Sequence, residues 1–313
     1  MTIMYEINPP RISADQNILN TLFERIESIS TVCDGIHLTD SVLGIPRVSP
    51  LNIAKKIRET NQKIKLTCSL RVRDKSEKEI SEFVENCISI GFSGILALMG
   101  DPSQTGKSDL GQIPSTIVKR LKEQGIDSKI DLYLSISNEP DFSKIRKKLE
   151  ANPKGFITQV IQNLEQVQNL SDNLKGFSVI PIILFPSEKN QKSAKFLNLD
   201  LSSYSQGFEE FVKKVHEITG DVLITSPSDF NGLNEFLEKL SIKFHRSTIF
   251  IIGYKTILYH LKNPKIAYAN IKFLFRIALI EKIGIYNSII RLFFSRLFFP
   301  HAMKREYIYD PKL

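Results

Sequence analysis

The sequence predicts a (β/α)8 barrel, and three observations carry that expectation. Eight short apolar segments recur over residues 1–242, amphipathic helical patterns separate them, and no Gly-rich dinucleotide turn follows the first strand. Strands spaced by helices pair in parallel, and eight such units in roughly 240 residues match the closed barrel better than an open doubly wound sheet. Residues 243–313 stand apart as a helical extension of mixed basic and apolar character.

In chain order, residues 5–11 (Tyr-Glu-Ile-Asn-Pro-Pro-Arg) form a strand stopped by two prolines, which cannot continue a central ladder. Ile18, Leu19, Leu22, Phe23 and Ile26 give helical spacing over 15–30. Residues 35–40 are the second strand, and Ser49 caps a helix through Ile53 and Ile57. Residues 64–68 are the third strand, with a helix over 76–90. The fourth, Gly94-Ile95-Leu96-Ala97-Leu98, is bounded by glycine and runs into Met99-Gly100-Asp101-Pro102, the pattern of a buried parallel strand delivering one acid to a loop. A helix over 115–123, a strand over 131–136, a helix over 142–149 and a strand over 155–159 follow. A helix over 163–170, a strand over 177–184, a helix over 207–218 and an eighth strand over 221–225 complete the alternation. A last helix runs through Leu233, Phe236 and Leu240.

Charge separates the two parts of the chain. From Lys243 to Leu313 there are 13 Lys and Arg against three acids, a net of +10, so the first 242 residues of this +8 chain carry −2. That distribution argues against nucleic-acid binding by the barrel. The extension is interrupted by Lys272, Arg276, Glu281, Lys282, Arg291 and Arg296, too often for a membrane span. Its expected role is packing on the barrel or on another subunit, with weak contact to an anionic membrane surface or a partner protein as alternatives. Three cysteines without CxxC spacing and an amino terminus without a basic, then apolar leader point to a reducing cytoplasm. His37, His216, His245, His260 and His301 have no metal-ligand spacing, so no metal site is expected. Gly100 to Ser108 looks like a phosphate-binding P-loop, but five residues separate its glycines where that motif has four.

Active sites of such barrels lie at the carboxyl ends of the strands. Those positions hold Glu6, Thr39, Thr67 with Cys68, Asp101, Asn138, Gln159 and Thr225. Glu6 and Asp101 can share one cavity, one carboxyl holding a proton to donate while the other stays ionised to stabilise positive charge.

The stretches around Glu6-Ile7-Asn8-Pro9-Pro10, Leu66-Thr67-Cys68, Leu98-Met99-Gly100-Asp101-Pro102 and Ile157-Thr158-Gln159 resemble, in order and spacing, the methylenetetrahydrofolate reductases. The resemblance covers about residues 3–240. It implies an enzyme that passes hydride from NAD(P)H through FAD to reduce 5,10-methylene-tetrahydrofolate, or a related pterin, to the 5-methyl form. Glu6 would protonate the folate N10, Asp101 would stabilise the resulting cation beside flavin and pterin, and Gln159 would hydrogen-bond the pterin. Thr39, Gly100, Asp101, Asp141 and Lys148 would contact the cofactor. The chain departs from the family in three places. Met99 replaces an Arg before Gly-Asp, and Lys65, itself a possible source of positive charge, replaces a His before Leu-Thr-Cys. A shorter Ser137-Asn138-Glu139-Pro140 replaces a Tyr/His run after the fifth strand. These departures leave as the alternative a folate-binding or regulatory subunit of the same fold.

Overall fold

The eight strands close on one another in a ring in the computed structural model, which describes residues 2–240; residues 241–313, and with them the expected extension, lie outside the described part. Strands β1 (Thr2–Ile7), β2 (Gly35–Leu38), β3 (Lys65–Arg71), β4 (Gly94–Leu98), β5 (Asp131–Ile136), β6 (Gly155–Val160), β7 (Ser178–Leu184) and β8 (Asp221–Thr225) pair in parallel with their sequence neighbours. The pairing of β1 with β8, Thr2 opposite Asp221 through Glu6 opposite Thr225, shuts the barrel. The fold is a (β/α)8 barrel.

Helices α1, α2, α3 and α6 begin where a side chain takes up a free backbone N–H group of the first turn. Helix α1 (Gln16–Ile29) starts at Asp15, whose carboxylate accepts the Ile18 N–H. Ser49 caps α2 (Pro50–Thr60), which has proline at its first position. Helix α3 (Glu77–Ile90) opens with a reciprocal capping box between Ser76 and Glu79. We expect Ser76→Ala to lower stability by about 0.5–2 kcal/mol, read from the midpoint of thermal unfolding, because that substitution leaves the Glu79 N–H without its acceptor. Helices α4 (Pro114–Glu123), α5 (Arg146–Glu150), α6 (Leu164–Asn173), α7 (Gln191–Phe196), α8 (Ser202–Ser205) and α9 (Phe208–Thr219) follow, and α10 covers 230–240.

Strand β1 covers Thr2–Ile7 rather than 5–11, helices α7 and α8 were not expected, and two further elements differ from the sequence expectation. Strand β3 does not stop at Cys68 but runs on to Arg71, because Ser69 and Arg71 find polar partners at the mouth. The helix expected over 142–149 shrinks to α5. Asp141 accepts both the backbone N–H and the hydroxyl of Ser143, a local bond that competes with helix.

Inside the ring, Met4, Leu96, Tyr133, Ile157, Ile180 and Leu223 form a buried apolar layer, with Leu98 and Ile182 packed against it. Side chains two residues apart on a strand share a face. Glu6 therefore stands on the inner face of β1, one step beyond Met4 toward the carboxyl end, as Thr225 stands beyond Leu223. The apolar layer is the floor of the mouth, and the residues one step above it are polar on β1, β5, β6 and β8 (Glu6, Ser135, Gln159, Thr225) and apolar on β4 and β7 (Leu98, Ile182).

Candidate active site

Glu6 is half-buried at the mouth, and its Oε1 accepts a 2.8 Å hydrogen bond from the Thr225 hydroxyl on the neighbouring strand. Burial pushes its carboxyl above the usual range, and the Thr225 bond opposes that shift only in part. The acid is thus set up to hold a proton. On the other side of Glu6, His37 is its register partner on β2 and is 1% exposed. Its two ring nitrogens meet hydroxyls, Nδ1 with Thr67 Oγ1 at 2.9 Å and Nε2 with Ser69 Oγ at 3.0 Å. Burial pushes the imidazole down to about 4, so it is neutral at ordinary pH. Strands β8, β1, β2 and β3 therefore present hydroxyls, one neutral imidazole and one acid.

The positions expected to contact a cofactor are spread around the rim, Thr39 after β2, Gly100 and Asp101 after β4, and Asp141 and Lys148 after β5. Thr39, just past β2, is buried and donates its hydroxyl to Asn8 Oδ1 at 2.8 Å. Lys148 of α5 reaches back to the Ser135 carbonyl near the end of β5 at 2.7 Å. Burial lowers its pKa, and no carboxylate pairs with it among the described residues. Asp141 is exposed and paired with Lys144 at 2.7 Å. Gln159 is exposed at the end of β6, where the β6–β7 register shifts and Thr158 Oγ1 takes the Ile182 N–H in place of a backbone carbonyl. Bulges of this kind re-aim side chains next to sites.

Asp101 does not join Glu6 on the inner face of the strands. It lies three residues beyond the end of β4, exposed, and its carboxylate accepts the Leu43 N–H at 3.1 Å. Leu43 (φ +59) and Ser41 (φ +46) both hold left-handed backbone without being glycine. That is a strained turn of the sort found at functional sites. Gln104 ties the same two loops together, accepting from neither but donating its N–H to the Gly44 carbonyl and its amide to the Leu43 carbonyl. Gly100 (φ +76) lies against Arg71: a Cβ there would come 2.4 Å from the Arg71 Cγ. Arg71 is 4% exposed and pairs with Asp74 at 3.0 Å, and its Nε has no partner.

Several expectations are thereby corrected. Thr67 and Cys68 are mid-strand: Thr67 faces His37, and the Cys68 sulfur lies 3.6 Å from that of Cys87 on α3. Lys65 is the first residue of β3, at the opposite end of the barrel from the mouth, and brings no charge there. The P-loop likeness fails structurally too. Helix α4 begins at Pro114, six residues past Ser108, so no helix amino terminus receives the loop. His37 and Arg71 were not expected at the mouth. Alternation through His37-Leu38 and through Ser69-Leu70-Arg71 could have signalled them, had the polar positions been read as the inner face of strands.

Beside Glu6 a cleft of about 130 Å³ runs between the carboxyl end of β1 and helix α1. Glu6 and Asn8 line it on the strand side, Leu22 and Arg25 on the helix side, and Ser226 to Ser228 on the β8–α10 loop, with Tyr5 and Phe230 contributing rings.

A parallel barrel with a half-buried carboxyl of raised pKa among hydroxyls at its carboxyl-end mouth falls in the class of barrel proteins that carry their sites on strand ends. The family model for methylenetetrahydrofolate reductase matches residues 1–205, and the chain belongs to that family. Among solved structures it is similar to a protein from Clostridium thermocellum described as binding two copies of 5-methyl-5,6,7,8-tetrahydrofolic acid. That likeness has 17% identity and a TM-score of 0.51 and covers 80% of this chain and 96% of the other. Orotidine 5'-phosphate decarboxylase from Pyrococcus horikoshii OT3 matches at 10% identity over 77% of this chain and 97% of its own, with a TM-score of 0.46. At 17% identity the first of these likenesses speaks to fold alone. A search of curated proteins finds no match.

Proposed function

We propose that the protein binds a tetrahydrofolate at the barrel mouth and reduces its 5,10-methylene bridge to a 5-methyl group, with Glu6 as the proton donor. The observation that carries this reading is Glu6 itself, a half-buried carboxyl at the mouth whose pKa burial raises and whose Oε1 accepts the Thr225 hydroxyl. The reaction needs such a group. Protonation at N10 opens the five-membered ring and leaves a methylene iminium at N5, which then accepts hydride to become the methyl. Gln159, exposed at the mouth, has a free amide for the pterin edge. Asp101, once released from Leu43, is the anion that would stabilise the iminium.

Hydride is beyond any side chain, and FAD supplied by NAD(P)H is the carrier we propose. Lys148 fits one end of it: a half-buried ammonium bonded only to a carbonyl suits an anionic phosphate. Gly100 and Thr39 would border the ring. A second reading, folate binding without hydride transfer, is favoured by two observations together. Met99 stands where the family has Arg, and the Asp101 carboxylate is engaged by the Leu43 N–H.

Anaerobic incubation with 5,10-methylene-tetrahydrofolate, FAD and NAD(P)H separates the two. The first reading expects a flavin spectrum that bleaches with NAD(P)H and a 5-methyl product by mass spectrometry. Folate binding with neither signal would select the second.

A further inference from the structure

Of the residues that line the cleft beside Glu6, only Glu6 itself has a part in the chemistry just described, and the rest suit a specific portion of the substrate. The cleft is smaller than the roughly 300–1,000 Å³ of pockets that enclose a whole drug-sized ligand, so it suits a fragment rather than a complete cofactor. Its lining mixes polar, aromatic and cationic side chains. Near Glu6 and Asn8 it is polar, Tyr5, Pro227 and Phe230 offer flat apolar surface, and Arg25 stands at the helix side. Tyr5 and Phe230 meet edge to face at 6.2 Å, and the Arg25 guanidinium lies 5.4 Å from the centre of the Phe230 ring. Arg25 is exposed and has no ion-pair partner among the described residues. Among the described residues the Arg25 guanidinium has no hydrogen-bond acceptor, so its N–H donors are available to an anion.

We propose that Arg25 is a specificity-determining residue, the cation that reads a carboxylate on the side chain attached to the substrate's N10. This inference rests on the folate reading. If Glu6 protonates N10, whatever N10 carries must lie beside Glu6. In a folate that is an aminobenzoyl ring followed by a glutamate, a flat apolar unit and an anion, for which the cleft lining holds aromatic rings and a cation. The site thus accepts pterins with an anionic aryl tail and discriminates against pterins without one. Helix α1 supplies the selecting charge, while the strand ends supply the chemistry.

The test is calorimetric titration of the full chain with 5-methyltetrahydrofolate, which has the tail, and with 6-methyltetrahydropterin, which has none. Wild type should bind the tailed ligand more tightly. Arg25→Glu should weaken that binding by about tenfold or more, the scale of one charge-assisted hydrogen bond, and leave the tail-less pterin within about twofold. Arg25→Lys should retain most of the affinity and lose it with added salt. Arg25 is exposed, so folding is not at stake. Tailed and tail-less ligands bound equally well, or an Arg25→Glu protein that binds the tailed ligand like wild type, would overturn the role of Arg25 while leaving the folate reading intact. Binding of neither pterin by wild type would overturn both.

Discussion

Glu6→Gln is expected to abolish pterin turnover, by about 10²–10⁴-fold, while leaving any reduction of bound flavin by NAD(P)H unchanged. The amide keeps the size of the side chain and can still meet the Thr225 hydroxyl, but it has no proton to give to N10. Rapid mixing that follows flavin bleaching and pterin product separately checks this, and equal loss of both signals would remove Glu6 from the acid's role. The same residue sets a pH dependence. Because its folded pKa is raised, the native state binds more protons than the unfolded chain between the two pKa values. Stability therefore falls as pH rises from the unfolded pKa of about 4.3 through the folded one, and levels off above it. Turnover should fall with rising pH through the folded value as well, as the donor form is lost. In Glu6→Gln the stability decline attributable to this residue should vanish, which a series of denaturant titrations across pH would reveal.

Gly100→Ala should be the most damaging small substitution at the mouth. The backbone there is left-handed (φ +76), which costs an L-residue about 1–2 kcal/mol. The new methyl would also lie 2.4 Å from Cγ and 2.5 Å from Cδ of Arg71. Arg71 cannot readily yield, since its guanidinium is held by Asp74 and its backbone N–H by Asp40. Overpacking of this kind costs about 1–3 kcal/mol more. A loss on the order of 2–5 kcal/mol is large against a typical domain stability of about 5–15 kcal/mol. Gly106→Ala is the control: it has a similar φ of +77 but nothing within 4 Å, so it should show only the backbone cost. If the two variants unfold at the same denaturant midpoint, Arg71 does not fill the space beneath Gly100.

The barrel was legible because buried parallel strands and amphipathic helices leave different periodicities, and eight alternations admit few closed arrangements. Glu6 and Thr225 were legible as the last inward positions of short strands. Other parts of the site depend on partners far along the chain. The carboxylate of Asp101 is directed by an amide 58 residues away, which no local pattern encodes. The end of β3 was misplaced because Ser69 and Arg71, polar and inward, resemble the start of a loop. Only closure of the ring, with His37 across from Ser69, turns them into strand. His37 was read as one of several scattered histidines, since nothing in its own neighbourhood announces Thr67 and Ser69 as its partners. The low, burial-driven pKa of this imidazole matters to the acid beside it, because a cation at that position would favour ionised Glu6.

The central claim is that the mouth around Glu6 is a folate site, and equilibrium binding of 5-methyltetrahydrofolate to the full chain tests it most directly. Wild type should bind one equivalent saturably, and Gln159→Ala should weaken that binding by about tenfold through loss of a pterin hydrogen bond. The absence of saturable binding by wild-type protein that is demonstrably folded would contradict the account.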